Sequence, residues 1–121
     1  MADPIYDRKD QLKQIEELLL DGEQVIAVYD AVGVGTGFIG MTNKRVILKD
    51  KSFIGKKVAL TSIPYTKISA VSVAANRSIA GQWFSSGQLA LHVGKDIHEV
   101  EFRGDKKTYH THQVIMHYIT V

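Results

Sequence analysis

Helical rhythm marks both ends of this chain, while the stretch between them alternates in the manner of strands. No further helix interrupts that run. Parallel strands need crossovers of roughly a dozen residues or more, usually helical, so the order of segments excludes a doubly wound sheet. It predicts an antiparallel barrel or sandwich of about seven strands, closed by a terminal helix.

At the N-terminal end Asp3 is placed to cap a helix, and Pro4 suits the first helical position, where no amide donor is needed. Ile5, Leu12, Ile15 and Leu19 follow a 3.6-residue period, Leu18 widens the stripe, and Asp21-Gly22 supplies a stop. An N-terminal helix over residues 1–22 is therefore expected, followed by a β domain over 23–121. Val25, Ile26, Val28 and Tyr29 begin the strands. Phe38–Thr42 and Lys44–Leu48 read as two more, broken near Asn43, and another is expected from Lys56 through Leu60. After Pro64 come Ile68, Val71 and Val73. Residues 76–87 read as a long hairpin connection, and Gly94-Lys95-Asp96 as the turn between the last two strands. Asp105 is the expected cap of a final helix to about Ile119. On its wheel Tyr109, His112, Ile115, Met116 and Ile119 share the arc expected to face the core. Val114, Tyr118 and Val121 form a second, narrower apolar arc, which suggests a second contact.

Composition narrows the chemistry. The 121 residues carry 15 Lys and Arg against 13 Asp and Glu, a net charge of +2, so nothing calls for nucleic acid or an anionic membrane as partner. Cysteine is absent, which removes disulfides, thiolate nucleophiles and Cys-ligated metals. The first ten residues have no apolar run of the signal-peptide kind and no segment reaches the length of a spanning helix, so a cytoplasmic location is expected.

Several motifs suggest chemistry and fail on context. Gly35, Gly37 and Gly40 have the G-x-G-x-x-G spacing of a dinucleotide site, but that site needs a helix to open where Met41–Leu48 reads as strand and turn. The plainer reading is a strongly twisted hairpin. Five histidines, at 92, 98, 110, 112 and 117, invite a metal. His110 and His117 lie about 10 Å apart along a helix, too far for one ion, and no spacing recruits the others. The serines lack a nucleophile elbow, and between Ile68 and Gly94 there is no acid at all. No catalytic residue, cofactor or metal is assigned.

Two surface features stand out. Lys49, Lys51, Lys56 and Lys57 concentrate positive charge around Phe53, as a phosphate-facing loop does or as a solvated turn between edge strands does. Arg77 precedes the adjacent aromatics Trp83-Phe84 in an otherwise uncharged connection. Aromatics so placed meet another protein, fold over a barrel mouth or hold a ligand. Arg77, Trp83, Phe84, Val114, Tyr118 and Val121 are the expected protein-interaction residues, and the four lysines are the alternative anion site.

Three segments together resemble a known family, the bacterial pleckstrin-homology-like domains. They are Leu20-Asp21-Gly22-Glu23-Gln24-Val25-Ile26, Gly40-Met41-Thr42-Asn43-Lys44-Arg45-Val46-Ile47-Leu48, and Ile63-Pro64-Tyr65-Thr66-Lys67-Ile68-Ser69-Ala70-Val71-Ser72-Val73. The resemblance implies a seven-stranded, partly open antiparallel barrel capped by a C-terminal helix. It also implies a homo-oligomeric ring with five-fold symmetry, where edge strands of neighbours meet and a partner protein binds. Related eukaryotic domains hold phosphoinositides through basic residues of the first hairpin, whereas Val32-Gly33-Val34-Gly35-Thr36-Gly37 has none. The lipid role is accordingly not carried over.

Overall fold

The computed structural model describes residues 3–32, 36–50, 59–75 and 86–121. Its strands are β1 (Ile5–Tyr6), β2 (Val25–Asp30), β3 (Thr36–Thr42), β4 (Arg45–Asp50), β5 (Ala59–Pro64), β6 (Ala70–Ala75), β7 (Ser86–Val93) and β8 (Asp96–Arg103). Helix α1 spans Lys9–Glu16, helix α2 spans Asp105–Ile119, and a single 3-10 turn, Tyr65–Lys67, joins β5 to β6. Strands β1 to β5 make one sheet in sequential order and β6 to β8 make a second. Pairing from β2 to β5 and from β6 to β8 is antiparallel throughout, and β1 runs parallel to β2. The mainly β architecture with two helices is the one the segment order predicts.

Alternation along the strands separates two apolar layers. Ala27, Tyr29, Ile39, Met41, Val46, Leu48 and Ile63 of the first sheet meet Leu89, Leu91, Val100 and Phe102 of the second, with Ile115 of α2. The other face of the first sheet presents Val28, Phe38 and Ile47, which Leu12 and Ile15 of α1 cover. Each such fully buried side chain contributes about 1.5–3 kcal/mol. The first sheet is thus buried on both faces, which explains why β2 and β4 read as nearly continuous apolar runs. At one corner the sheets connect, where Val32 N–H donates to the Glu101 carbonyl at 2.8 Å.

Glycines allow two close approaches. A Cβ at Gly40 would stand 2.7 Å from Ile15 Cδ1, so this position lets α1 lie flat on β3. One at Gly87 would come within 3.0 Å of Thr108 Cβ, where α2 packs on β7. Gly94, at φ +60°, opens the two-residue turn from Val93 to Asp96 as expected.

The N-terminal segment differs from expectation. Ile5 and Tyr6 pair with Ala27 and Val28 as a strand, and α1 begins only at Lys9, with Arg8 rather than Asp3 at the cap position. Asp7 explains the interruption: its carboxylate accepts from Asp30 N–H at 2.9 Å and from Lys107 Nζ at 2.9 Å, tying the chain to β2 and α2 before a helix can start. The helix ends at Glu16, not Gly22, because Leu20 N–H turns to the Glu23 carboxylate. Gly22, at φ +77°, serves the turn that follows.

The α2 wheel is also corrected. Gly104 occupies the cap position, and Asp105 is the first helical residue. The buried face is Thr108, Thr111 and Ile115, with Val114, Tyr118 and Ile119 packed against the core; Tyr109 is 50 % exposed. Small threonines make the closest contact, as the Gly87 approach demands, and an apolar pattern discounts them. Strand β7 begins at Ser86, inside the stretch read as connection, and the strand start expected at Lys56 lies outside the described residues.

Candidate functional site

The residues carrying the family resemblance form a connected polar cluster. Arg45 Nε and Nη2 donate to Glu23 Oε2 and Oε1, both at 2.9 Å. Thr42 Oγ1 donates to the same carboxylate at 2.6 Å, and Leu20 N–H donates at 2.9 Å. The Arg45 guanidinium also reaches the Leu18 carbonyl at 2.7 Å and Ser62 Oγ at 2.9 Å. Asn43 accepts from Gln24 N–H and donates to the Gly22 carbonyl, and the Tyr65 hydroxyl donates to the Thr42 carbonyl at 2.7 Å. Burial alone raises the Glu23 carboxyl, but the bonds from Arg45, Thr42 and Leu20 outweigh it and hold the pKa at about 2. The side chain of Glu23 is fully buried, so its charge depends on these partners. The cluster locks the segment before β2 onto the β3–β4 turn. Residue spacing missed Glu23 as a buried ion; its place in the Asp-Gly-Glu turn, opposite Thr-Asn-x-Arg, was the available signal.

Second, a groove of about 340 Å³ runs beside α2, lined by Ile26, His110, Gln113, Val114, His117 and Tyr118. A register shift between Val25 and Ala27 turns Ile26 toward it. Tyr118 stacks on Tyr65 at 4.9 Å between ring centroids, and the Tyr29 hydroxyl shares a 2.6 Å hydrogen bond with His110 Nδ1. Two residues of the narrower apolar arc, Val114 and Tyr118, therefore pack on the core and line the groove. The third, Val121, is 91 % exposed and stands apart.

Arg77, Trp83, Phe84, Lys51, Lys56 and Lys57 lie outside the described residues. Lys49 is described, and its ammonium sits 5.6 Å from the Phe38 ring centroid, half-buried over a core aromatic. The described strand ends Asp50 and Ala59 are paired, as are Ala75 with Gly87 and Ser86 with Arg103. With the Val32–Glu101 bridge, these place the roots of the basic and the aromatic connections at the same end of the two sheets. Among the described residues no three His, Asp or Glu side chains gather as metal ligands, and no helix is long and apolar enough to cross a membrane.

Third, among the described residues β5 pairs with β4 alone and β6 with β7 alone, so each ends its sheet with one side that no described strand covers. Neither Ala59-Leu60-Thr61-Ser62-Ile63-Pro64 nor Ala70-Val71-Ser72-Val73-Ala74-Ala75 carries a charge.

Comparison with known proteins agrees with this architecture. The family model described as "Bacterial PH domain" matches residues 5–119. The chain is 34 % identical over 107 residues to the uncharacterised protein YjqA of Bacillus subtilis, covering 85 % of this chain and 80 % of the relative. It is 29 % identical over 98 residues to YozO of the same organism, also uncharacterised, covering 81 % and 80 %. Among solved structures, a DUF1696 family protein with a pleckstrin-homology domain from Shewanella loihica superposes with a TM-score of 0.64 at 24 % identity, over 93 % of this chain and 94 % of the other. A pleckstrin homology domain from Shewanella amazonensis gives 0.65 at 24 % identity, over 95 % and 100 %. At that identity the two structures speak for the fold, and the match along the sequence speaks for kinship: the chain belongs to the bacterial pleckstrin-homology domain family.

Proposed function

We propose that this chain is a non-enzymatic interaction module of the cytoplasm, a partly open barrel that assembles with copies of itself into a closed five-fold ring and offers that ring to a partner protein. One observation carries the reading: the open edges of β5 and β6, adjacent through the Tyr65–Lys67 turn and free of charged residues. An uncovered edge presents a row of backbone donors and acceptors, and soluble proteins ordinarily guard it with charge, proline or a bulge. Pro64 guards one end of β5; the sequence of β6 contains no guard. A cyclic assembly covers such edges in every copy and leaves no growing end.

Hydrogen exchange at the β5 and β6 amides tests this. Protection at tens of micromolar that disappears on dilution supports edge pairing between copies; exchange independent of concentration refutes it. Ala74→Lys, at an exposed position of β6, is expected to weaken assembly while leaving the fold intact. Binding of anionic lipid or polyanion through Lys49, Lys51, Lys56 and Lys57 is the competing function. Lys49, lying over Phe38, gives it no independent support, and salt-sensitive binding to anionic vesicles lost on reversing those lysines would favour it instead.

A further inference from the structure

We infer that residues 3–7 form a strap, latched by Asp7, that occupies the outer border of β2 and keeps it from pairing with the β2 of a second copy. The inference is independent of the ring proposed above, because it concerns the border of the five-stranded sheet opposite β5.

The strap gains little from burial. Strand β1 is two residues long, Ile5 is 52 % exposed and Tyr6 45 %, and its pairing with β2 is parallel, the less stable kind. Helix α1, which follows, buries Leu12 and Ile15 against Val28, Phe38 and Ile47. Between the two lies Arg8, extended, with its side chain turned to Asp10 rather than to the strap. A segment with few buried apolar contacts opens at lower free energy than the packed elements beside it.

Asp7 is what fastens it. Its N–H donates to the Val28 carbonyl at 3.1 Å. One carboxylate oxygen accepts from Asp30 N–H and the other from Lys107 Nζ, both at 2.9 Å. Asp7 and Lys107 face a polar cleft of about 240 Å³, shared with Arg8, Asp30, Val32 and Arg103. Water and salt reach the ion pair through that cleft, so it holds the strap as a releasable latch rather than as a buried anchor.

The border under the strap is prone to pairing. Val25-Ile26-Ala27-Val28-Tyr29 carries no charge and is rich in β-branched and aromatic residues. From Ala27 onward its register with β3 is regular. With the strap lifted, no described strand covers this side of β2. Two copies of one edge pair antiparallel about a two-fold axis, the commonest closed symmetry. Asp30 stands at the strand's end, so a pair centred on the strand does not set the two carboxylates against each other. The strap therefore inhibits in cis, holding backbone groups that a second copy would otherwise take.

The test uses the whole chain with Ala74→Lys as background, so that pairing through β6 does not contribute, and each variant is verified as folded by circular dichroism. Asp7→Lys sets a second cation against Lys107 and removes the acceptor for Asp30 N–H. The amide of position 7, whose bond to the Val28 carbonyl this change leaves in place, is expected to exchange about tenfold faster or more. Light scattering at about 100 μM is expected to show a mass doubled relative to the background. Adding Lys107→Asp re-forms the ion pair with its charges reversed and is expected to return both readings toward the background. Fast exchange at position 7 without added mass overturns the guarding role, and exchange as slow as in the background overturns the latch. Added mass that Lys107→Asp does not remove also overturns the inference, since its source is then general destabilisation. The ring stands or falls separately, on the β5 and β6 amides.

Discussion

Arg45→Met is the sharpest test of the polar cluster. Methionine keeps much of the arginine stem's volume but removes both bonds to Glu23, leaving a carboxylate with no exposed side-chain surface and only Thr42 and Leu20 as donors. Breaking a buried pair by removing one partner costs about 3–5 kcal/mol. For a chain of this size that lowers the melting temperature by on the order of 12–20 °C. The pH dependence adds an independent check. With its folded pKa depressed from 4.5 to about 2, Glu23 contributes stability that is present above pH 4.5 and lost as pH falls through 2. The variant lacks most of that contribution, so its deficit is expected to be largest at pH 7 and to shrink between about pH 5 and pH 2. Glu23→Gln combined with Arg45→Met should cost less than the two single changes summed. Urea unfolding monitored by circular dichroism measures all of this. A deficit below about 1 kcal/mol at pH 7, the value of an exposed pair, would refute the reasoning, as would a deficit that does not change with pH.

Gly40→Ala places a methyl group 2.7 Å from Ile15 Cδ1, and a destabilisation of about 1–3 kcal/mol is expected in thermal melts, partly relieved by adding Ile15→Val. Burial raises the phenol pKa values of Tyr65 and Tyr29. Their contribution to stability is therefore fully present below about pH 10 and lost above it. In a spectrophotometric titration of the five tyrosines, Tyr65 should ionise only as the protein unfolds, and Tyr65→Phe should remove that late step. The same change deletes the bond to the Thr42 carbonyl and should cost about 0.5–1.5 kcal/mol near neutral pH.

The β architecture was legible because period-two alternation survives wherever only one face of a strand is buried, as in β7 with Leu89 and Leu91 inward. The breaks at Asn43, Pro64 and Gly94 were legible for a local reason, since each is a residue whose backbone chemistry ends a strand. Where the reading failed, tertiary contacts had overridden local signals. Asp3-Pro4 forms a good helix start by itself, yet Ile5 and Tyr6 gain more by pairing with β2, and Asp7 is committed to Asp30 and Lys107. The α2 core face was misassigned because Thr108 and Thr111 are chosen for size, not hydrophobicity. Of the candidate surface, Val114 and Tyr118 were visible as an apolar arc. Leu18 was read as widening the N-terminal apolar stripe and is 38 % exposed, and His110 and His117 became neighbours of the groove only once Ile26 of β2 was brought alongside. Glu23 was not read as a buried ion: its one signal, the Asp-Gly-Glu turn set against Thr-Asn-x-Arg, becomes an ion pair only when the fold brings Arg45 over it.

Native mass spectrometry of the unmodified chain at micromolar concentration tests the assembly most directly. Five copies of the 13.5 kDa chain predict a dominant ion series at about 68 kDa that collapses in the Ala74→Lys variant. A spectrum containing only the 13.5 kDa subunit would contradict the account.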